Sequence, residues 1–361
     1  MTFHYFLSPR IRALEPYVPG EQPRIAGLIK LNTNENPYPP SPATLDAIQQ
    51  AAGDSLALYP DPESTALRET IARRHGLQAS EVFVGNGSDE VLAHAFFAFF
   101  QQEAPLLVPD VTYTFYRVYA QLYGIEVDLQ PVDEQLRIDV AALASRAREE
   151  NCAGLVLANP NAPTGIGLPL ADVEMLLQAC PQRVVLVDEA YVDFGGQSAL
   201  ALIARYPNLL VAQTLSKSRS LAGLRVGFAC GQAHLVEALT RVKNSFNSYP
   251  LDRLAQAGAV AALEDEVWFS KTRDAVIDTR EGLVLALEDL GFQVLPSQAN
   301  FVFARHPEHE GLALAAALRE RKVLVRHFKQ ARIDQYLRIS IGTRDQCAAL
   351  VSALRDVLAG G

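Results

Sequence analysis

Seven short apolar runs constrain this chain more than any other feature. They are Val82–Gly85, Pro105–Pro109, Glu126–Gln130, Gly154–Ala158, Arg183–Asp188, Leu209–Thr214 and Arg225–Cys230. They are short and rich in Val and Leu, and most are apolar on both faces, which calls for an apolar cover on each. A parallel sheet wrapped by helices provides that cover. The segments between them, such as Asp89–Gln101 and Leu170–Ala179, have helical length and spacing. Strands alternating with helices predict an α/β, doubly wound domain with a mainly parallel seven-stranded sheet and helices on both faces.

The ends of the chain read differently. Residues 1–40 are rich in Pro, Asn and Tyr and predict an irregular arm that packs with the small domain or a dimer partner. The large domain is expected over 41–255. Past Pro250 a long helical stretch, Leu251–Leu290 with breaks, leads into strands at Phe292–Val294, Asn300–Ala304, Val323–Arg326 and Leu337–Ile341. With helices at Leu312–Arg321 and Asp345–Leu358, residues 256–361 predict a smaller α+β domain.

Composition excludes several functions. A net charge of -9 over 361 residues disfavours electrostatic binding to nucleic acid. The richest apolar run, Val91–Phe100, is far too short for a membrane span and contains His94. The first residues lack the pattern of a signal peptide. Cys152, Cys180, Cys230 and Cys347 sit in or beside apolar runs with no metal-binding spacing, which predicts buried, reduced thiols and fits the cytoplasm. His306 and His309 read as a solvated loop, and no metal is expected.

In open α/β sheets, ligands bind beyond the carboxyl ends of the strands. The chemically useful residues gather there. Gly154–Ala158 runs into Asn159-Pro-Asn-Ala-Pro-Thr-Gly165, Arg183–Val187 ends in Asp188-Glu-Ala-Tyr191, and Leu209–Leu215 ends in Ser216-Lys217-Ser218, with Arg225 close behind. Val82–Val84 ends in Gly85-Asn-Gly-Ser88, where a helix opens and free backbone N–H groups favour an anion.

Taken alone, Lys217 would be a solvated loop lysine. Its company suggests a Schiff-base lysine, partly desolvated so that its amine is nucleophilic. A pyridoxal cofactor needs such a lysine, a carboxylate for its ring nitrogen and anchors for its phosphate. Asp188 follows four apolar residues, so it should be buried and should have a cationic partner. Ser216, Arg225 and the glycine-rich turn can each reach a phosphate, although Ser88 could serve only as a helix cap.

These motifs, in this order and spacing, resemble the fold-type I pyridoxal-phosphate enzymes of the class II aminotransferase group, over essentially the whole chain. Leu14-Glu-Pro-Tyr17-Val-Pro-Gly20, Leu31-Asn-Thr-Asn-Glu-Asn-Pro-Tyr38, Tyr59-Pro-Asp-Pro62, Val323-Leu-Val-Arg326 and Leu337-Arg338-Ile-Ser-Ile-Gly-Thr343 resemble the histidinol-phosphate aminotransferase subgroup. That resemblance implies pyridoxal 5'-phosphate carried by Lys217 and paired through its ring nitrogen with Asp188. Tyr191 and Asn161 would bond its phenolic oxygen, and Tyr113 would stack on its ring. Ser216, Arg225, Gly87 and Ser88 would hold its phosphate. Tyr59 would reach the cofactor of a neighbouring subunit, so a homodimer is implied. Tyr17, Asn34, Arg326 and Arg338 would bind substrate, histidinol phosphate or 2-oxoglutarate.

Two departures stand out. Ala162 replaces a second Asn of the family pattern, beside the expected ligand Asn161. Ser218-Arg219-Ser220 is unusually polar and bears on substrate breadth. Aromatic amino-acid transamination and threonine-phosphate decarboxylation remain alternatives. A non-catalytic regulator would need a DNA-binding module, and none is legible in the arm.

Overall fold

The structure, a computed structural model, describes residues 6–149 and 151–360. Residues 1–5 of the predicted arm lie outside them. The arm contains α1 (Pro9–Ala13) and β1 (Ile29–Leu31), and α2 (Pro42–Ala51) and α3 (Thr65–His75) follow. Next come β2 (Val82–Asn86), α4 (Gly87–Ala95), β3 (Leu106–Pro109), α5 (Phe115–Tyr123), β4 (Val127–Gln130) and α6 (Val140–Arg148). The chain continues through β5 (Gly154–Ala158), α7 (Leu170–Ala179), β6 (Val184–Asp188), β7 (Leu209–Thr214), β8 (Val226–Gly231) and α8 (Ala233–Phe246). The last part comprises α9 (Arg253–Glu264), α10 (Glu266–Asp289), β9 (Gln293–Val294), β10 (Phe301–Arg305), α11 (Gly311–Glu320), β11 (Val323–His327), β12 (Leu337–Ser340) and α12 (Arg344–Ala359).

All seven predicted runs form one sheet, in the order β2-β8-β7-β6-β5-β3-β4. The pairs from β7 through β4 are parallel, whereas β8 is antiparallel to both of its neighbours. The unbroken apolar pattern is explained by how the strands divide their side chains. Leu155, Leu157, Val185, Val187, Leu209 and Val211 pack on one face with α3, α6, α7 and α9. Val156, Ala158, Leu186, Leu210 and Ala212 pack on the other with α4, α5 and α8. Alternate residues of a strand point to opposite faces, so a strand covered twice has no polar position. Each such Val or Leu contributes roughly 1.5–3 kcal/mol by burial.

The smaller sheet has the order β1-β11-β12-β10-β9. Here the irregular-arm reading is corrected. Ile29–Leu31 pairs in parallel with Val323–Val325, so the arm supplies an edge strand. The predicted long helix is interrupted at Asp265, whose side chain caps α10 by accepting from Trp268 N. The four cysteines are free and buried. Among the described residues no helix is long and apolar enough to cross a membrane.

Candidate active site

The strand directions bring the site together. The carboxyl ends of β2, β5, β6 and β7 lie at one edge of the large sheet, and β8, running the other way, begins there. Arg225, immediately before β8, therefore meets residues that follow β2 and β7. A cleft of about 240 Å³ lies between this edge and the small sheet. Of the predicted residues, Tyr17, Asn34, Ser88, Tyr113, Asp188, Tyr191, Ser216, Lys217, Arg225, Arg326 and Arg338 line it.

Asp188 ends β6 and is only 5% exposed. Its carboxylate accepts from the Tyr116 hydroxyl at 2.8 Å and from Ala190 N at 3.2 Å. Both donors are neutral. Burial pushes the carboxyl up to about 6, against the lowering effect of both bonds and of the Lys217 charge. The next residue, Glu189, points away from the cleft. It is held by Ser198, Ala199 N and Gln213, and burial pushes it up to about 7.

Lys217 is half-buried on the loop after β7. Its amine stands 5.7 Å from the centre of the Tyr191 ring. The backbone beneath it is fixed from the arm, where Asn36 Nδ2 donates to the carbonyls of Lys217 and Ser218 at 3.0 and 3.3 Å. Ser216 is held by Thr214, whose hydroxyl donates to Ser216 Oγ at 3.0 Å and accepts from its backbone N at 3.1 Å. Asn36 lies within the Leu31–Tyr38 motif and Thr214 ends a predicted strand, but neither carries a predicted role.

The end of the cleft where an anion is expected is the first turn of α4. Gly87 adopts φ +81°, and a Cβ there would come within 2.5 Å of Arg225 Nη2. On β8, a Cβ at Gly227 would lie 2.3 Å from Ser88 N, so the strand can approach this turn only without a side chain. Arg225 Nη2 pairs with Asp89 at 2.8 Å. The cap of α4 falls at Asn86, not at Ser88.

The opposite wall belongs to the arm and small sheet. Tyr17 packs on Phe115 with centroids 4.7 Å apart. Arg338 Nη2 donates to Asn32 O at 3.0 Å, and the guanidinium lies over Phe301 and Phe328. Its Nε is buried without a partner among the described residues. Arg326 sits against the other side of the same region, 5.6 Å from the Phe328 ring centre.

Tyr59, Asn161 and the Ser218-Arg219 pair lie outside the lining of this cleft. Tyr59 is 79% exposed and stacks on Tyr249, away from this cleft. Asn161 is buried behind the wall, where its amide donates to Val111 O and Thr164 Oγ1 and accepts from Thr112. Ala162, read as a bystander, is the residue of that pair that faces the cleft. Ser218 and Arg219 turn away from it. Ser218 bonds Asp193, and Arg219 lies 3.5 Å over Phe269 and donates to Ala262 O.

A doubly wound sheet whose edge sets a lysine near a buried carboxylate, beside a helix N-terminus and two arginines, defines an α/β group-transfer enzyme. The chain belongs to the aminotransferase class I and II family, whose model matches residues 26–354. It is 61% identical to histidinol-phosphate aminotransferase 1 of Pseudomonas aeruginosa, over 97% of this chain and 98% of that protein. It is 59% identical to the histidinol-phosphate aminotransferase of Gluconacetobacter diazotrophicus, over 98% of each. The crystal structure of the Sinorhizobium meliloti histidinol-phosphate aminotransferase in complex with pyridoxal-5'-phosphate superposes with a TM-score of 0.87 at 27% identity, covering 98% of both chains.

Proposed function

We propose that this chain is a pyridoxal-phosphate-dependent aminotransferase of histidine biosynthesis. It exchanges an amino group between histidinol phosphate and 2-oxoglutarate, giving imidazole-acetol phosphate and glutamate. The observation that carries the reading is the cleft that holds Lys217, Asp188 and Arg225 together with Arg326 and Arg338.

The donor set fits the cofactor. When bound, pyridoxal phosphate supplies an electron sink for the bonds at the substrate's amino-bearing carbon. The buried Asp188 carboxylate, held by Tyr116 and Ala190, would keep a proton on the ring nitrogen. Lys217 would carry the cofactor, and its amine would hold or move a proton at the substrate's amino-bearing carbon. Tyr113 would lie against the ring, and the Tyr191 hydroxyl would bond its phenolic oxygen. Asn161 can join Tyr191 only by giving up one of its two present amide bonds. Ser216, Arg225 and the first turn of α4 at Gly87 and Ser88 hold the phosphate, with Arg225 shared between it and Asp89. Arg338 binds the carboxylate or phosphate of the substrate. Arg326 and Tyr17 bind the phosphate, and the free amide proton of Asn34 faces substrate. The enzyme works as a cytoplasmic homodimer in which Tyr59 reaches the partner's cofactor phosphate.

The test is spectroscopic. Histidinol phosphate should abolish the visible band of the cofactor-loaded protein, and 2-oxoglutarate should restore it. Lys217→Ala should lose both half-reactions, and a variant that still cycled would refute the assignment. Phenylalanine, or threonine phosphate with release of carbon dioxide, acting faster than histidinol phosphate would redirect the substrate reading.

A further inference from the structure

The Tyr191 hydroxyl is not oriented by packing alone. Its ring is held edge-on to Phe301, with centroids 5.1 Å apart, so packing places the oxygen but leaves the O–H free to rotate. Asn34 Nδ2 donates to that oxygen at 3.0 Å. Ser340 Oγ donates to Asn34 Oδ1 at 2.9 Å and accepts from Asn34 N at 2.8 Å. Asn300 Nδ2 donates to Asn34 O at 3.0 Å. Asn34 and Ser340 are 1% and 3% exposed. Asn34 also adopts φ +55°, a conformation that asparagine tolerates better than most residues.

The direction of these bonds follows from counting protons. The Ser340 hydroxyl has one, and the Asn34 carbonyl takes it. The NH₂ group of Asn34 must then face Tyr191. Flipping the amide would leave the Ser340 proton buried without an acceptor, which is unfavourable. Tyr191 is therefore an acceptor toward Asn34, and its own proton turns the other way, toward Lys217 and the cleft.

We propose that Ser340 and Asn34 are positioning residues that aim the Tyr191 proton into the cleft, at the cofactor's ring oxygen. This inference rests on the reading of Tyr191 as a cofactor ligand. A donor to that oxygen favours the deprotonated form of the bound cofactor, in which the oxygen carries the most charge, and so lowers the pH at which the visible band titrates. Lys217, Asp188, Tyr113, Tyr17 and Arg338 also face this spot, and every variant below leaves them unchanged.

The experiment is a pH titration of the visible band of the holoenzyme without substrate. Tyr191→Phe should raise the midpoint by about one pH unit. Ser340→Ala should raise it in the same direction, Ser340→Thr should restore it, and Ser340→Ala should add nothing in the Tyr191→Phe background. A Ser340→Ala midpoint equal to wild type, or a shift that persists in full without the Tyr191 hydroxyl, overturns the relay. If Tyr191→Phe itself leaves the midpoint unmoved, the reading of Tyr191 falls and takes the relay with it. Because no substrate is present, a different amino donor would leave the result standing.

Discussion

Replacing Asp188 by asparagine should make the cofactor-free protein more stable and the cofactor-loaded protein worse at holding its ligand. In the folded apoprotein, burial pushes the Asp188 carboxyl from its ordinary 3.8 to about 6. The folded state then binds this proton more tightly than the unfolded state does. Its stabilising effect is complete below about pH 4 and is lost as pH rises through 6. Two pKa units correspond to about 3 kcal/mol lost by pH 8. An asparagine never ionises. Its oxygen still accepts from Ala190 N, and its NH₂ donates to Tyr116, whose hydroxyl changes from donor to acceptor. The stranded tyrosine proton costs about 1 kcal/mol, which leaves a net gain of about 2 kcal/mol, or about 3 °C in melting temperature for a chain of this length. Glu189, also raised by burial, titrates in both proteins and cancels. Thermal melts of apo wild type and Asp188→Asn at pH 4, 6 and 8 should show the advantage growing with pH, and a slight deficit at pH 4. A difference independent of pH would refute the argument. With cofactor present the sign reverses, because a charged partner for the ring nitrogen is gone, and affinity should fall tenfold or more.

Other outcomes follow from the same geometry. Gly87→Ala places a methyl group 2.5 Å from Arg225 Nη2 at a left-handed φ, so equilibrium dialysis should show cofactor affinity lowered by about tenfold with the fold intact. Arg326→Lys removes a planar fork, and KM for histidinol phosphate should rise about tenfold while KM for glutamate holds. If Tyr59 acts across the dimer, a hybrid of Tyr59→Phe and Lys217→Ala subunits should keep one site with wild-type cofactor affinity. A hybrid of wild type with the doubly changed chain should not.

The large sheet was legible because a strand covered on both faces leaves a continuous apolar record, as Val184–Val187 and Leu209–Val211 do. β1 was not, because Ile29-Lys30-Leu31 is three residues long and its pairing depends on a strand at the far end of the chain. Lys217, Asp188 and Arg225 could be read because polar residues ending apolar runs must lie at the sheet edge. The antiparallel course of β8, which brings Arg225 there, left no local mark. Which of Asn161 and Ala162 faces the cleft is decided by the turn between β5 and α7, and one-residue registry in a loop has no periodicity to betray it. Tyr116 is a fully buried core aromatic whose hydroxyl alone reaches Asp188, and no spacing in the sequence links the two. Glu189 and Arg219 gave no hint that they turn inward, away from the chemistry.

The pairing of arm and small sheet also has a consequence in time. Asn34 and Ser340 are separated by 306 residues. At roughly 5–20 residues per second on a ribosome, the arm waits about 15–60 s for its partner to be made. The large sheet can complete itself during that interval, since its last strand ends at Gly231. Lys217 and Asp188 are then in place, while Arg326 and Arg338 have yet to be translated. A nascent chain would thus possess its chemical groups before it possesses the two small-domain arginines proposed to grip a substrate.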